Sequence, residues 1–319
     1  AGTFESEGSA MSSAVEVAAG ATYEIDLVSA SDTATYSKSI SGAGSFLKSG
    51  EGALTFDQVH SYSGATTISG GELKLSSNGS LSNSTAVSVA NGATYELGAN
   101  DEVVSIEGAG VIKLGSSTLT SGSDNSNKTF SGSVSGTGGL TKSGTGKLSL
   151  TGSKSYTGAT TINAGTLESE GSAMSSAVAV AAGATYEIDL AAAADTATYS
   201  KIISGAGSFL KSGAGVLTFD QAHSYTGATT INGGELKVSN SGSLSNQTDV
   251  VVGEGSTYEL GANDRVGSIS GRGDIKLGSS NLTAGGNGNT EFGGVASGTG
   301  GLTKQGSGRL TLSGANTYS

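Results

Sequence analysis

Hydrophobic and polar residues alternate along many short stretches of this chain. In the stretch ATYEIDL, Tyr23, Ile25 and Leu27 fall on one side of an extended backbone, while Glu24 and Asp26 fall on the other. A period of two residues is typical of strands that bury one face. The sequence therefore predicts short strands, with an inward set made of Tyr23, Ile25 and Leu27 and of their later copies Tyr186, Ile188 and Leu190.

Turn-forming residues separate these stretches. Gly, Asn, Ser and Asp cluster between the alternating segments, as in the pair Asn91-Gly92, and these residue types favour tight turns. Helix signals are weak, because glycine recurs every few residues and no apolar set keeps a period of 3.6. An alanine-rich stretch at Val28–Thr35, with its copy at Ala191–Thr198, is compatible either with a short helical turn or with a loop.

A long internal repeat organises the chain. The segment AGTFESEGSAMSSAV at Ala1 recurs as AGTLESEGSAMSSAV at Ala164, and the 119 positions that start there align without a gap and differ at 26. We interpret residues 1–163 as a first large repeat and residues 164–319 as a second, truncated one. We expect the two to form one continuous solenoid that belongs to a longer array.

A shorter spacing lies inside the large repeat. A Gly-x-Gly marker, followed by apolar residues and lysine, recurs with spacings of 66, 28, 69, 66 and 27 residues; it begins at Gly42, Gly108, Gly136, Gly205, Gly271 and Gly298. Spacings of 66 and 69 divide into three coils of 22–23 residues. One coil cannot bury its own apolar face, so coils must stack. The sequence predicts an all-β parallel β-helix, or β-solenoid, of about 14 coils.

The composition narrows the possible classes of protein. The 319 residues include 54 glycines, no proline and no cysteine, and the formal net charge is -11. Collagen is excluded because it requires proline and a three-residue glycine period. Disulfide scaffolds and cysteine-ligated metal sites are excluded as well. The negative charge repels phosphate, so we expect no nucleic-acid partner.

The run GTGGLTKSGTGKLSLTGSKSYTGATTINAGTL, at Gly136–Leu167, resembles the passenger-associated β-strand repeat of bacterial autotransporters. The pattern recurs at Gly42–Leu75, Gly205–Val238 and Gly298–Ser319. The resemblance implies a right-handed parallel β-helix in the passenger of a type V secretion system. It also implies display on a Gram-negative cell surface, either secreted or held at the outer membrane by a C-terminal β-barrel that lies outside this sequence.

Candidate catalytic residues are few. His60 and His223 are the only histidines in the sequence, and each follows an aspartate, Asp57 or Asp220, by three residues. With the neighbouring serines they bring a Ser–His–Asp site into consideration, but their duplicated position in the repeat favours a turn residue. The run GTGKLS at Gly144 lacks the Ser or Thr that follows the lysine of a phosphate loop, so we reject that interpretation.

Three further patterns have both a structural and a functional interpretation. GGNGNTEF at Gly285 resembles a calcium-binding nonapeptide, but with Asn in place of Asp, and we favour a glycine-rich loop. The tripeptide Arg272-Gly273-Asp274 would bind an integrin-type receptor only from a protruding loop. Recurring tyrosines either stack sugars or, as we favour, line the core; they are Tyr23, Tyr62, Tyr95, Tyr156, Tyr186, Tyr225 and Tyr258.

Taken together, these patterns predict a surface-displayed adhesin passenger and no enzyme. The sequence assigns no residue to catalysis, a cofactor, a metal or partner binding. Faces rich in Ser, Thr and Asn, such as Ser239–Thr248 with Asn240 and Asn246, can meet through many weak hydrogen bonds that add by avidity. We expect the partner to be the same protein on neighbouring cells, or a host surface protein or glycan, which would lead to aggregation, biofilm formation or host attachment and so to virulence. A passive stalk with a functional tip elsewhere and a passenger protease or polysaccharide lyase stay open as alternatives.

Overall fold

A computed structural model describes residues 2–319, and this range contains strands and turns without a helix. The chain divides into two compact units, Ala1–Thr161 and Ile162–Ser319. Each unit is built from strands of three to five residues. The short strands follow from the alternating pattern, because turn-forming residues interrupt it every few positions.

The first unit contains strands β1 (Thr3–Glu7), β2 (Val15–Val17), β3 (Thr22–Asp26), β4 (Thr33–Tyr36), β5 (Ile40–Gly42), β6 (Ser45–Ser49), β7 (Ala53–Phe56), β8 (Thr66–Ile68), β9 (Glu72–Leu75), β10 (Ala86–Val89), β11 (Thr94–Glu96), β12 (Asp101–Val103), β13 (Ser105–Gly108), β14 (Val111–Lys113), β15 (Leu119–Ser121), β16 (Lys128–Phe130), β17 (Ser133–Ser135), β18 (Leu140–Lys142), β19 (Lys147–Leu150) and β20 (Thr160–Ile162). The second contains β21 (Thr166–Glu170), β22 (Val178–Val180), β23 (Thr185–Asp189), β24 (Thr196–Tyr199), β25 (Ile203–Gly205), β26 (Ser208–Ser212), β27 (Val216–Phe219), β28 (Thr229–Asn232), β29 (Glu235–Val238), β30 (Asp249–Val252), β31 (Thr257–Leu260), β32 (Asp264–Val266), β33 (Ser268–Gly271), β34 (Asp274–Gly278), β35 (Leu282–Ala284), β36 (Thr290–Phe292), β37 (Ala296–Gly298), β38 (Leu302–Lys304) and β39 (Leu310–Leu312).

The first unit is a stack of coils with three faces. The first face pairs β1, β3, β6, β8, β10, β13, β16 and β19 in that order, and the second pairs β4, β7, β9, β11, β14 and β17. The third face holds β2 with β5, and β12 with β15 and β18. The pairings are parallel, and partners lie one coil apart in the sequence. This arrangement is a parallel β-solenoid.

The second unit repeats the arrangement. Its first face pairs β21, β23, β26, β28, β30, β33, β36 and β39, and its second pairs β24, β27, β29, β31, β34 and β37. Its third face holds β22 with β25, and β32 with β35 and β38. These pairings are parallel too. The predicted all-β solenoid is therefore confirmed in each unit.

Each unit has eight turns along its first face, which makes sixteen in residues 2–319 and is close to the expected 14. Coils are slightly shorter than predicted: Thr3 pairs with Thr22, and Thr22 with Ser45, so offsets run from 19 to 23 residues. The reason is that the Gly-x-Gly marker does not return to the same corner. It lies after β5 on the third face, after β13 on the first and after β17 on the second, so a spacing of 66 residues is three coils and one further face.

The marker glycines form corners that no other residue fits well. All six have φ between +99° and +126°, a region that strains any residue with a Cβ. The coils also approach closely at this point. A Cβ on Gly42 would lie 2.3 Å from the carbonyl oxygen of Val17, and one on Gly108 would lie 2.1 Å from that of Val89.

The predicted inward residues form the core. Fully buried side chains include the whole predicted set, Tyr23, Ile25, Leu27, Tyr186, Ile188 and Leu190. The alanine-rich stretches are loops and not helical turns: the Ser29 amide donates to Asp32 Oδ2 at 2.9 Å, and Ala192 donates to Asp195 Oδ2 at the same distance. Each loop leads directly into a second-face strand, β4 or β24.

The buried position of Ile188 generates a first prediction. Replacing it by aspartate would place an unpaired carboxylate in the core, and we expect the free energy of unfolding to fall by about 3–5 kcal/mol. Thr198→Asp, on an exposed position of β24, serves as the matched control and should change it by less than about 0.5 kcal/mol. Thermal melts followed by circular dichroism measure both. Equal melting temperatures for the Ile188→Asp and wild-type chains would contradict the assignment of this face.

Candidate functional site

The two histidines do not form catalytic sites. His60 is only 2% exposed, and its Nδ1 accepts a hydrogen bond from the Ile40 amide at 3.0 Å. Asp57 faces elsewhere, since its Oδ2 accepts from Ser37 Oγ at 2.9 Å. The arrangement recurs at His223, whose Nδ1 accepts from the Ile203 amide at 3.1 Å. Each histidine therefore holds a coil corner from inside.

An aromatic cluster surrounds each histidine ring. The His60 ring lies 4.0 Å from the Phe56 ring and stacks on Tyr36 at 6.1 Å. In the second unit, His223 lies 4.0 Å from Phe219. Burial in this cluster lowers the pKa of both histidines to about 4, so the rings are neutral at pH 7 and act as packing groups.

The recurring tyrosines belong to the core, as favoured above, and so cannot stack sugars. All seven are fully buried. Their hydroxyls find partners inside the coil. Tyr62 and Thr66 oxygens lie 2.5 Å apart, and the Tyr225 hydroxyl lies at the same distance from Thr229. Burial raises the pKa of Tyr62.

A buried lysine follows three of the markers, and sequence reasoning missed it. Lys48 and Lys211 are fully buried, and each Nζ donates to the carbonyls of the next two residues, at 2.6 and 3.0 Å for Lys48. Lys142 makes the same contacts with Ser143 and Gly144. Burial lowers the pKa of Lys211 to about 8. The alternation in SFLKS already placed these lysines on the inward side, but lysine is by default an exposed residue.

Two buried aspartates complete the interior polar groups. Asp101 accepts from the Leu81 amide at 3.1 Å and from the Tyr95 hydroxyl. Asp264 repeats this with Leu244 and Tyr258. Burial raises the pKa of Asp101 to about 6 and also raises that of Asp264. Both groups hold adjacent coils together and are not accessible as catalytic acids.

The remaining sequence motifs are structural in the described range. In the tripeptide at Arg272, the Arg272 and Gly273 amides both donate to the Val252 carbonyl, at 2.9 and 3.0 Å, so the motif is a tight corner and not a protruding loop. In GGNGNTEF, Asn287 and Asn289 accept amides of the next coil at 3.1 and 2.8 Å. No group of His, Cys, Asp or Glu in residues 2–319 is arranged to hold a metal ion.

Charge distinguishes the outer surfaces of each unit. On the first face, Glu24 and Glu107 carry carboxylates. On the second face, ions are paired: Lys113 Nζ lies 3.0 Å from Glu72 Oε1, and Lys74 contacts Glu96. These hydrogen bonds raise the pKa of Lys113 and lower that of Glu96. The second unit repeats the pattern, with Lys276 Nζ at 3.0 Å from Glu235 Oε2.

The third face is mostly hydroxyl and amide. It includes the strands named above and the bends that continue them, which begin at the bridges Val59–Ser80 and Ala222–Ser243. From the stretch Ser239–Thr248, the exposed side chains are Asn240, Ser241, Asn246 and Gln247. Corner asparagines are fixed by the backbone, since Asn263 Oδ1 accepts from the Asn281 amide at 2.7 Å. The face therefore presents ordered polar groups.

An open groove of about 480 Å³ lies on the third face of the second unit. Its lining includes the amides and hydroxyls of Asn246, Asn263, Asn281, Thr283 and Gln305, together with the exposed guanidinium of Arg265. Such a lining can accept and donate many hydrogen bonds but offers no nucleophile paired with a base. The geometry favours binding over catalysis.

Comparisons with known proteins agree with this geometry. A family model described as passenger-associated-transport-repeat matches residues 46–75, 140–168, 209–238 and 302–319. The chain is also 32% identical, over 92% of its length, to the Adhesin BmaC autotransporter of Brucella suis biovar 1 (strain 1330), and it spans about 10% of that relative. No solved structure matches this chain. Among residues 2–319, no helix is long and apolar enough to cross a membrane.

The four matches coincide with the four runs identified in the sequence, and they explain why the buried lysines recur. Lys48, Lys142, Lys211 and Lys304 all occupy the same position of the matched repeat. Lys304 makes the same contacts, to the carbonyls of Gln305 and Gly306, although it is exposed. The family pattern is thus largely a pattern of corner formation, and it identifies the scaffold.

The histidine geometry predicts a structural role only. We expect His60→Ala combined with His223→Ala to lower the melting temperature, because two buried amides lose their acceptor, while self-association per folded molecule is unchanged. The matched double variant with asparagine keeps an acceptor near Nδ1 and should melt between the two. Loss of association in a folded alanine variant would contradict this role.

The buried aspartates and histidines predict opposite responses to acid. The unfolded histidines bind protons from about pH 6.5 and the folded ones only near pH 4, so they remove stability as pH falls through that window. Asp101 binds a proton near pH 6 when folded and so adds stability as pH falls toward about 4. Asp101→Asn with Asp264→Asn should therefore lose more melting temperature than wild type between pH 7 and 4.5. A smaller loss would contradict these assignments.

Proposed function

This chain carries the passenger repeats of a bacterial autotransporter, and we propose that it is an adhesion module that binds copies of itself on neighbouring cells. Its setting is the Gram-negative cell surface, displayed or secreted. The observation that carries the proposal is the third face, where ordered hydroxyl and amide groups such as Asn246 and Gln247 are exposed. Aggregation and biofilm formation would follow from such contacts.

The charge of the molecule supports this choice of face. With a net charge of -11, two copies repel each other within about one Debye length, ~8 Å at physiological salt. Close contact is easiest where carboxylates are sparse, which favours the third face over the first. Individual hydrogen bonds contribute only about 1 kcal/mol net, but a repeated face supplies many of them.

The relative named an adhesin favours binding over catalysis, and the buried positions of His60 and His223 agree with that. The chain spans only about a tenth of that relative, so the activity of the whole protein is part of this proposal. A passive stalk is the second candidate, favoured by the absence of a unique, non-repeated cluster of polar residues in residues 2–319. Host protein or glycan binding by the groove is the third.

Settling of coated beads tests the proposal. Beads carrying the chain should clump faster as salt is raised, because salt screens the repulsion, and faster as pH is lowered toward the pI of about 4.6. Clumps should persist at high salt, since hydrogen bonds hold them. Beads coated with the Ile188→Asp variant, which we expect to be unfolded, provide the control.

Two results would contradict this function. Clumps that dissolve at high salt would mean that ion pairs, and not hydroxyl and amide ladders, hold the copies together. Beads that settle like uncoated ones at every salt concentration and pH would favour the stalk or a different partner.

A further inference from the structure

The two units differ in charge at one equivalent place on the third face. Glu102 of β12 and Arg265 of β32 occupy the same position of the repeat, and both are exposed. Each begins a ladder in register with two threonines, Thr120 and Thr141 beside Glu102, and Thr283 and Thr303 beside Arg265. The surroundings are alike, but the charge is reversed.

Neither charge is neutralised within its own unit. The carboxylate of Glu102 accepts only an amide hydrogen bond, from Asn83 Nδ2 at 3.4 Å. Arg265 lines the open groove, and its guanidinium has no ion-pair partner in residues 2–319. On the second face, by contrast, exposed lysines and glutamates pair with each other. The third face therefore keeps two opposite charges available.

A second difference points the same way. Glu16, an exposed outward residue of β2, is replaced by Ala179 in the corresponding strand β22. The third-face strands of the first unit thus present two carboxylates, and those of the second unit present Arg265 without one. This is charge complementarity between the two units' third faces.

We propose that the third face of the first unit docks on the third face of the second unit of another copy of this chain, with Glu102 opposite Arg265. This inference rests on the proposed homotypic adhesion. Pairing first units would oppose two glutamates, and pairing second units would oppose two arginines, which is unfavourable. The ion pair selects the partner face, while hydroxyls and amides supply the contact area. In a two-fold arrangement each such contact would occur twice.

Charge reversal tests the pairing, with one chain immobilised and the other in solution at low salt. Glu102→Arg and Arg265→Glu should each raise the dissociation constant for self-binding by at least about fivefold, as expected for loss of an exposed ion pair. The decisive measurement is cross-binding. Immobilised Glu102→Arg should bind soluble Arg265→Glu within about twofold of wild-type affinity, because both contacts are then again between opposite charges.

Two variants control for net charge. Glu254→Arg and Arg272→Glu make the same charge changes at exposed corners between the first and second faces, and neither should show selective cross-binding. A general charge effect predicts the opposite sign for Glu102→Arg, because it brings the net charge of -11 two steps toward zero and should strengthen self-binding. At high salt the differences between variants should shrink.

Distinct outcomes separate this inference from the function beneath it. If Glu102→Arg binds itself as tightly as wild type, or if cross-binding fails to recover, the pairing is overturned, although wild-type self-binding would leave homotypic adhesion intact through another face. If the wild-type chain does not bind itself at any salt concentration, both are overturned.

Discussion

The parallel hydrogen-bond ladder between successive coils is the constraint on which the rest of each unit depends. Every strand must meet its partner one coil away, so the coil length stays near 20 residues and extra residues are confined to corners and loops. The two copies differ in length by one residue, and that residue falls in the loop before β16 and β36. Register is kept on both sides, since Phe130 pairs with Gly108 and Phe292 with Gly271.

Alternation and repetition predict the interior well, because burial of one side of a strand is a local rule. It correctly placed Ile25 and Ile188 in the core. The exact coil count was harder, since it requires knowing that Gly42, Gly108 and Gly136 lie at three different corners, which is a property of the stacked structure. The inward Lys48 was missed because its burial depends on carbonyls that only the folded corner brings to its ammonium group.

Interior and surface differ in how closely the two copies agree. The rings of Phe56 and His60 lie at the same 4.0 Å separation as those of Phe219 and His223, and the residues are identical. Exposed positions such as Glu102 and Arg265 have diverged even in charge. Substitutions in a close-packed core carry a high free-energy cost, whereas surface substitutions carry little. A duplicated solenoid can therefore keep one scaffold and present two different surfaces.

The short sequence distance between paired strands also governs how such a chain can fold. Each ladder contact closes a loop of about 20 residues, so the entropy lost per added coil is the same wherever the coil lies. Contacts such as those of the Lys211 ammonium with Ser212 and Gly213 are more local still. Growth can proceed coil by coil from one nucleus, and a longer array need not fold more slowly at its growing end. A chain that emerges from a membrane end first can thus acquire structure as it appears, with each finished coil serving as the template for the next.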